Sequence, residues 1–261
     1  MTDVATDELL IERRTAGDGH QWVEATFNRP AKLNAFTRGM YQSLHALCRE
    51  LAEDLSVKVL VLRGAGGKAF AAGNDIEDFL AQEQVSYEEE IRAMFTALFE
   101  LPQVTIAAID GVCVGGGLAI ATHCDLRLAT PVSRFGYPIA RTLGNALSSP
   151  VLFRCAATFG ESLTREMLLT ARLQSAERAF GVGALTSISS DLSKDVEELV
   201  DSICGLSSVT LRTTKQQLGF RASALEPVPA GEIDLLREVY GGPDFAEGVR
   251  AFLAKEKPAF T

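Results

Sequence analysis

The strongest constraint on the fold comes from two apolar runs, each followed by a glycine-bearing turn. The runs Val57–Leu62 and Val104–Ile109 have the length and branched side chains of buried strands. The turn Phe70–Ile76 follows the first run, Gly111–Gly117 follows the second, and each turn precedes a helix-like segment. Because repeated strand, turn and helix favour parallel pairing with right-handed crossovers, the sequence predicts an α/β fold.

The same two turns can also carry chemistry. A helix start presents backbone N–H groups that have no acceptor within the helix. Two such groups aimed at one point make an oxyanion hole, which stabilises negative charge on a substrate oxygen. A single glycine cluster more often marks a tight turn, so the joint occurrence of the two turns is what favours a functional interpretation.

Composition limits the classes of function. The chain has 34 acidic against 25 basic residues, a net charge of −9, which argues against general binding of nucleic acid. No apolar run approaches the roughly 20 residues that cross a bilayer, and the first residues are acidic and polar, so we expect a cytoplasmic protein without a membrane partner. The five cysteines form no Cys-x-x-Cys pair, which predicts buried thiols and no metal site.

Further elements follow from hydrophobic spacing. The runs Leu9–Arg13 and Trp22–Phe27 predict an opening hairpin, and Thr37–Ala52 predicts a helix capped by Thr37. The polar stretch Gln82–Glu90 is interpreted as mobile, with a helix over Glu89–Leu101. Later predicted elements are a buried helix over Gly117–Thr122, a strand over Asp125–Ala129, and helices over Pro150–Thr158, Leu163–Thr170 and Ser175–Phe180.

Several ordered motifs resemble the enoyl-CoA hydratase/isomerase (crotonase) family from about Leu9 onward. They are Asn28-Arg29-Pro30, Leu33-Asn34-Ala35, the two turns, Cys124-Asp125, and Phe135-Gly136 with Pro138. The resemblance implies a spiral ββα superhelix over residues 1–195 and a helical trimerisation region over 196–261, whose apolar faces suit a homotrimer or homohexamer. It also implies an acyl-CoA substrate and no prosthetic group.

The resemblance also assigns site residues. The backbone N–H groups of Asn74 and Gly116 are expected to bind the thioester oxygen, and Lys32 is expected to meet the phosphates of coenzyme A. Phe252, with the nearby Lys255 and Lys257, is expected to contribute from a neighbouring subunit. The residues expected near the adenine and pantetheine are Lys32, Leu33, Ala35, Ala72, Asp75 and Ile76.

The chain departs from the hydratase pattern at both acid-base positions. Where hydratases of the family carry two glutamates, this sequence has Ala119 and Ile139. A positioned acid or base typically contributes 10²–10⁴-fold, so we expect slow hydration of enoyl-CoA. Arg141 and Asn145 are candidate pocket residues, and Arg141 either pairs with a substrate carboxylate or makes a structural salt bridge. His123 is either a buried, hydrogen-bonded residue or a general base.

Several reactions stay open at this point. Isomerisation, thioester hydrolysis and decarboxylation all use a stabilised oxyanion, but each needs a base that the sequence does not identify. The further alternatives for a cavity acid are Glu77, Asp78 and Tyr137, while Cys113 is interpreted as a core thiol. A protein that binds acyl-CoA without turning it over is the alternative of a different class.

Overall fold

The computed structural model describes residues 6–80 and 84–261. Its strands are β1 (Leu9–Thr15), β2 (Gln21–Phe27), β3 (Val57–Gly64), β4 (Ala69–Ala71), β5 (Val104–Ile109), β6 (Val112–Val114), β7 (Leu126–Ala129), β8 (Arg134–Gly136), β9 (Gln174–Ser175) and β10 (Ser187–Ile188). Its helices are α1 (Arg38–Glu53), α2 (Ile76–Leu80), α3 (Gln84–Phe99), α4 (Gly116–His123), α5 (Ile139–Thr142), α6 (Ser149–Phe159), α7 (Glu161–Thr170), α8 (Ala176–Gly181), α9 (Leu192–Cys204), α10 (Ser208–Leu225), α11 (Glu232–Tyr240) and α12 (Pro243–Ala254).

The strands form two sheets. The larger has the order β1-β2-β3-β5-β7-β10 and the smaller β4-β6-β8-β9. The opening hairpin is antiparallel, as the sequence predicts, and β8 pairs with β9 in the same sense. The other neighbours pair in parallel, so the expected α/β class with parallel strands is confirmed.

The apolar side chains of β3 pack into two hydrophobic clusters, because this internal strand of the larger sheet is covered on both faces. Leu60 and Leu62 belong to the larger core, while Val59 and Val61 face a second cluster on the opposite side. Successive side chains of a strand point to opposite faces, so an internal strand covered on both faces needs an apolar residue at every position.

Helix α9 covers the second face of the larger sheet. Its residues Val196, Val200 and Ile203 pack in the same cluster as Val59 and Val61. The predicted division between residues 195 and 196 therefore falls inside α9. The next helix, α10, leaves apolar side chains exposed, among them Val209, Leu218, Phe220 and Leu225.

Helix α3 begins earlier than the sequence predicts. It starts at Gln84, so residues 84–88 are helical instead of a mobile stretch, while Gln82 lies outside the described residues. By contrast α1 agrees with its prediction, and the Thr37 side chain accepts a hydrogen bond from the Met40 N–H as a cap.

The structure bears on two predictions made from composition: whether the cysteines are buried, and whether a helix could span a membrane. The five cysteines are buried. No helix in the part of the chain that the structure describes is long and apolar enough to span a bilayer.

Candidate active site

A buried asparagine holds the first glycine turn in place. Asn34 is fully buried in a left-handed backbone conformation. Its Nδ2 donates to the carbonyl oxygens of Ala65 and Ala69 at 3.0 and 2.8 Å, and its Oδ1 accepts from the Arg29 N–H at 3.0 Å. Asn34 therefore fixes the loop after β2 against the segment that leads into the first turn, because leaving these buried polar groups without partners would be costly.

The two glycine turns meet in space. Gly73 and Gly115 have φ of 96° and 54°, a region that side chains disfavour, and each immediately precedes one of the predicted donors. A Cβ on Gly73 would lie 3.7 Å from the Gly116 nitrogen, an ordinary contact distance, so the two turns are in van der Waals proximity. No hydrogen bond from the N–H of Asn74 or Gly116 is found within residues 6–80 and 84–261.

The side-chain oxygen of Asn74 accepts a hydrogen bond from a neighbouring residue. The Tyr41 hydroxyl donates to Asn74 Oδ1 at 2.7 Å, and burial raises the pKa of Tyr41 well above its usual value, so the phenol stays protonated as the donor. A Cβ on Gly116 would meet the Tyr41 hydroxyl oxygen at 2.5 Å and Asn74 Oδ1 at 2.6 Å. Glycine at position 116 is therefore required for this close approach.

The turns border a cavity of about 390 Å³. One side, here called the turn wall, comprises Lys32, Ala35, residues 72–77 and Gly115. A second group of lining residues, the helix wall, comprises Glu88 of α3, Tyr240 of α11, and Phe245 and Phe252 of α12. Phe79 and the segment from Pro138 to Asn145 contribute further lining residues: Pro138, Ile139, Thr142, Leu143 and Asn145.

Most of the residues singled out from the sequence meet in this cavity. Both Ile139 and Asn145 line it, and so do Asn74 and five of the six residues expected near coenzyme A, namely Lys32, Ala35, Ala72, Asp75 and Ile76. Phe252 also lines it from the same chain, so the expectation that Phe252 comes from a neighbouring subunit is not needed for this contact.

Four predicted residues lie outside the cavity lining: Gly116, Ala119, Arg141 and Leu33. Gly116 directly follows the lining residue Gly115. Ala119 is 2% exposed within α4, and its side chain ends at Cβ. Arg141 is exposed on α5, whereas Ile139, Thr142 and Leu143 face the cavity. Leu33 is 41% exposed. A role for Arg141 at the pocket therefore stays a prediction.

An ion pair stiffens the turn wall. Arg29 donates to Asp75 Oδ2 at 2.9 Å and to the Ala35 carbonyl oxygen at 2.5 Å. Burial raises the pKa of Asp75, but hydrogen bonds from Arg29 and from the Asp78 N–H outweigh it, so the pKa lies below its usual value. Asp75 is thus a carboxylate with structural partners on the turn wall.

The helix wall holds a polar group that the sequence interpretation missed. The Tyr240 hydroxyl donates to Glu88 Oε1 at 2.8 Å. Burial raises the pKa of Glu88, opposed by the Tyr240 hydrogen bond and the Arg92 charge. A signal was present, because Tyr87 and Ile91 continue the apolar face of α3 backwards and place residue 88 within the helix.

Most of the remaining candidates for acid-base chemistry are buried or hydrogen-bonded away from the cavity, and Glu77 is the exception. His123 is 4% exposed, its Nδ1 lies 2.7 Å from the Ala119 carbonyl oxygen, and burial lowers its pKa to about 4, which confirms the buried interpretation. Tyr137 and Cys113 are fully buried and do not line the cavity. Asp78 accepts from the Arg38 N–H, and the exposed Glu77 lines the cavity. No group of three possible metal ligands occurs in the described ranges.

Comparisons with known proteins agree with this architecture. The family model described as enoyl-CoA hydratase/isomerase matches residues 20–261, so the chain belongs to the enoyl-CoA hydratase/isomerase family. A short-chain-enoyl-CoA hydratase from Clostridium acetobutylicum is 27% identical, over 89% of this chain and 91% of that protein.

Solved structures show the same crotonase fold. An enoyl-CoA hydratase/carnithine racemase from Magnetospirillum magneticum is 32% identical with a TM-score of 0.78, covering 98% of this chain and 96% of that one. A methylmalonyl-CoA decarboxylase in complex with 2-nitronate-propionyl-CoA has a TM-score of 0.86 and covers 98% and 99% of the two chains. At 23% identity, the second likeness concerns the fold alone.

Proposed function

We propose that this protein is an enzyme that binds an acyl-CoA thioester and stabilises its enolate through the backbone N–H groups of Asn74 and Gly116. The observation that carries the proposal is the pair of glycine turns: two N–H groups without acceptors follow glycines of positive φ at one edge of a cavity. Fixed donors of this kind stabilise charge that develops on a carbonyl oxygen without reorganising during the reaction.

The turn wall supplies a chemically suitable site for coenzyme A. The Lys32 ammonium can pair with a phosphate, while Ala35, Ala72 and Ile76 offer apolar contact beside exposed backbone groups. The acyl group would then occupy the part of the cavity that the helix wall lines, where Tyr240 contacts Glu88. Binding of this kind needs no prosthetic group.

The proposed reaction is proton transfer at the acyl carbon next to the thioester rather than hydration. Ala119 and Ile139 leave the two usual carboxylate positions without an acid-base group. Activation of water and protonation of carbon both rely on such groups, so hydration should be slow. Enolate formation needs the oxyanion donors and one base, which suits isomerisation or a related reaction.

The exposed apolar side chains of α10 support a further part of the proposal, assembly as a homotrimer or homohexamer. Val209, Leu218 and Phe220 are each more than half exposed. Exposed apolar surface of this extent is commonly covered by a partner.

The decisive experiment compares two reactions in one preparation. Butyryl-CoA is incubated with the protein in D₂O and deuterium at C2 is followed by mass spectrometry, while hydration of crotonyl-CoA is followed by loss of the conjugated thioester absorbance. We expect exchange with little hydration. Rapid hydration would contradict the proposed reaction class, and binding of butyryl-CoA without exchange would favour the noncatalytic alternative.

A glycine variant tests the donor pair itself. Gly116→Ala introduces a Cβ that collides with the Tyr41 hydroxyl and Asn74 Oδ1. Loss of one oxyanion donor typically costs about 10²–10³-fold, and we expect exchange to fall by roughly that factor. Gly181→Ala is the matched control, because a Cβ there meets nothing within 4 Å. Equal exchange rates for the two folded variants would contradict the assignment.

A further inference from the structure

We infer that Glu88 is the catalytic base of this protein, positioned by Tyr240, and that it moves the proton at the carbon next to the thioester. The inference rests on the proposed function and names the residue that replaces the two missing glutamates. Glu88 comes from α3, whereas the positions occupied by Ala119 and Ile139 lie on α4 and α5.

Glu88 lines the same cavity as the two turns. Among the described residues two glutamates line it: Glu77, which directly follows the expected coenzyme A residues Asp75 and Ile76, and Glu88 on the helix wall. Glu77 is exposed to solvent, whereas Glu88 is partly buried. An acyl chain that is bound at Asn74 and enters the cavity therefore shares it with Glu88.

A hydrogen bond holds one oxygen of the carboxyl group. Tyr240 donates to Glu88 Oε1 at 2.8 Å. No hydrogen bond to Glu88 Oε2 is found among the residues described. One oxygen is thus fixed and the other is left for a reacting proton, an arrangement that holds a base in a defined orientation.

An unpartnered polar atom also marks the site for a ligand. Asn145 Oδ1 is buried without a hydrogen-bond partner, and Asn145 lines the cavity beside Tyr240. Buried polar atoms are normally paired, so an orphaned acceptor at a cavity wall is a place for a donor from a bound molecule or water.

The surroundings of Glu88 give its carboxyl group a route for proton exchange with solvent. Glu88 and Tyr240 line both the main cavity and a second cavity of about 570 Å³ between α3 and α11. The carboxyl can therefore exchange its proton through the second cavity while an acyl group fills the first. Charged groups that act on it are Arg92 on α3 and Glu232 on α11, and Lys32, Asp75 and Glu77 also line the main cavity.

The proton transfer balances without another reactant. Glu88 Oε2 takes the proton from C2, an O–H bond forms as the C–H bond breaks, and the electron pair enters the enolate whose oxygen accepts from the Asn74 and Gly116 N–H groups. In D₂O the carboxyl exchanges its proton for a deuteron. Return of that deuteron forms a C–D bond at C2 and restores the thioester.

The test is C2 exchange of butyryl-CoA in D₂O with Glu88→Gln, which keeps the shape and removes the base. We expect exchange to fall by roughly 10²–10⁴-fold while butyryl-CoA still binds by calorimetry. Glu89→Gln is the matched control, since Glu89 is the exposed neighbour outside the main cavity, and it should exchange at the wild-type rate.

Tyr240→Phe should change the pH dependence of the exchange rate, which loss of a merely structural contact would leave unchanged. With Glu88 as the base, the rate rises with pH through the pKa of its carboxyl group and then levels off. Removing the Tyr240 hydroxyl removes a bond that favours the carboxylate, so the midpoint of the pH profile should shift upward. An unshifted midpoint would overturn the positioning role of Tyr240.

The outcomes separate this inference from the proposed function. Wild-type exchange that Glu88→Gln retains, or that Glu77→Gln alone abolishes, would overturn the assignment of Glu88 and leave the proposed function standing. Wild-type binding of butyryl-CoA without exchange would overturn the inference while leaving thioester binding intact. Absence of binding would overturn both.

Discussion

The two walls of the cavity are built by different means. On the turn wall, short-range backbone geometry dominates: Gly73 and Gly115 have positive φ, and Asn34 bonds to backbone groups. On the helix wall, side chains of α3, α11 and α12 meet across more than 150 residues of sequence, as Tyr240 and Glu88 do. The comparison teaches that one wall fixes backbone donors, while the other creates a special environment for a side chain.

The carboxyl groups of the two walls differ accordingly. Asp75 on the turn wall has a lowered pKa, because hydrogen bonds from Arg29 and the Asp78 N–H exceed the effect of burial. Glu88 on the helix wall has a raised pKa, because burial exceeds the effect of Tyr240 and Arg92. One carboxylate is held charged beside a cation, and the other readily accepts a proton, which is the property a base requires.

The largest expected effect is on the turn wall. Asn34→Ala should lower the free energy of unfolding by about 3–5 kcal/mol, because three hydrogen bonds are lost around buried backbone groups. Urea unfolding at pH 7 measures the change. Asn28→Ala is the control, since Asn28 Nδ2 makes one exposed bond to the Asp7 carbonyl oxygen. Equal losses for both variants would contradict the view that Asn34 holds the turn.

A pH effect of similar size should come from the contact between α3 and α4, which lie behind the two walls. His123 stacks on Phe95 at 4.5 Å between ring centroids, and its pKa is lowered to about 4 from 6.5. The unfolded chain takes up a proton first as pH falls, so stability decreases from about pH 6.5 down to pH 4, by about 3 kcal/mol.

Urea unfolding across that pH range checks the sign and size of the His123 effect. His123→Phe should remove this part of the pH dependence while retaining an aromatic contact with Phe95. A variant whose stability falls with pH as steeply as the wild type would show that His123 is not its cause.

Smaller changes in stability are expected when the charge of Asp75 or of Glu88 is removed, and the two changes should differ in sign. At pH 7, Asp75→Asn should destabilise the protein by about 1–2 kcal/mol, because a lowered pKa adds stability above the unfolded value. Glu88→Gln should leave stability unchanged or raise it by less than about 1 kcal/mol, because a raised pKa adds stability only below the unfolded value.

Unfolding at a series of pH values tests this opposition. As pH falls, both variants should approach the wild type in turn: Glu88→Gln first, because the raised pKa of Glu88 lets it take up a proton early, and Asp75→Asn only below the ordinary aspartate pKa, because the lowered pKa keeps folded Asp75 charged until then. The comparison between the walls fails if Glu88→Gln loses stability at pH 7 and regains it in acid, as Asp75→Asn should.

The smallest effect concerns the rim of the helix wall. Phe252 is 49% exposed yet lines the cavity. Phe252→Ala should change the free energy of unfolding by less than about 1 kcal/mol, as is usual for an exposed site, while weakening butyryl-CoA binding several-fold. Calorimetric titration gives the Kd. Leu253→Ala, 57% exposed and outside the cavity lining, should bind normally, and equal weakening in both variants would remove Phe252 from the site.

Much of the fold was accessible from local patterns. The strand over Val104–Ile109 agrees with β5 residue for residue, and the helix capped by Thr37 differs from α1 by one residue at each end. Both have an unbroken apolar pattern and clear flanking signals. The start of α3 was missed because polar side chains at its beginning obscure the helical spacing that Tyr87 and Ile91 continue.

The site residues likewise divide into those that local sequence predicts and those that it does not. Asn74 and the residues of the turn wall were predicted because a turn motif brings its own backbone geometry. Arg141 lies on a short exposed helix outside the cavity lining, where local sequence does not fix the direction of a side chain. The role inferred for Glu88 had no local motif, and Tyr240 lies 152 residues away.

By itself, the sequence determined where backbone conformations are forced: glycines that alone tolerate positive φ, apolar runs that must be buried, and the absence of carboxylates at Ala119 and Ile139. Only the tertiary structure decided which carboxyl group shares the cavity with the turns. The pKa of Glu88 depends on burial by α11 and on Tyr240 and Arg92. Desolvation and charge proximity are properties of distance in space, and local sequence does not encode them.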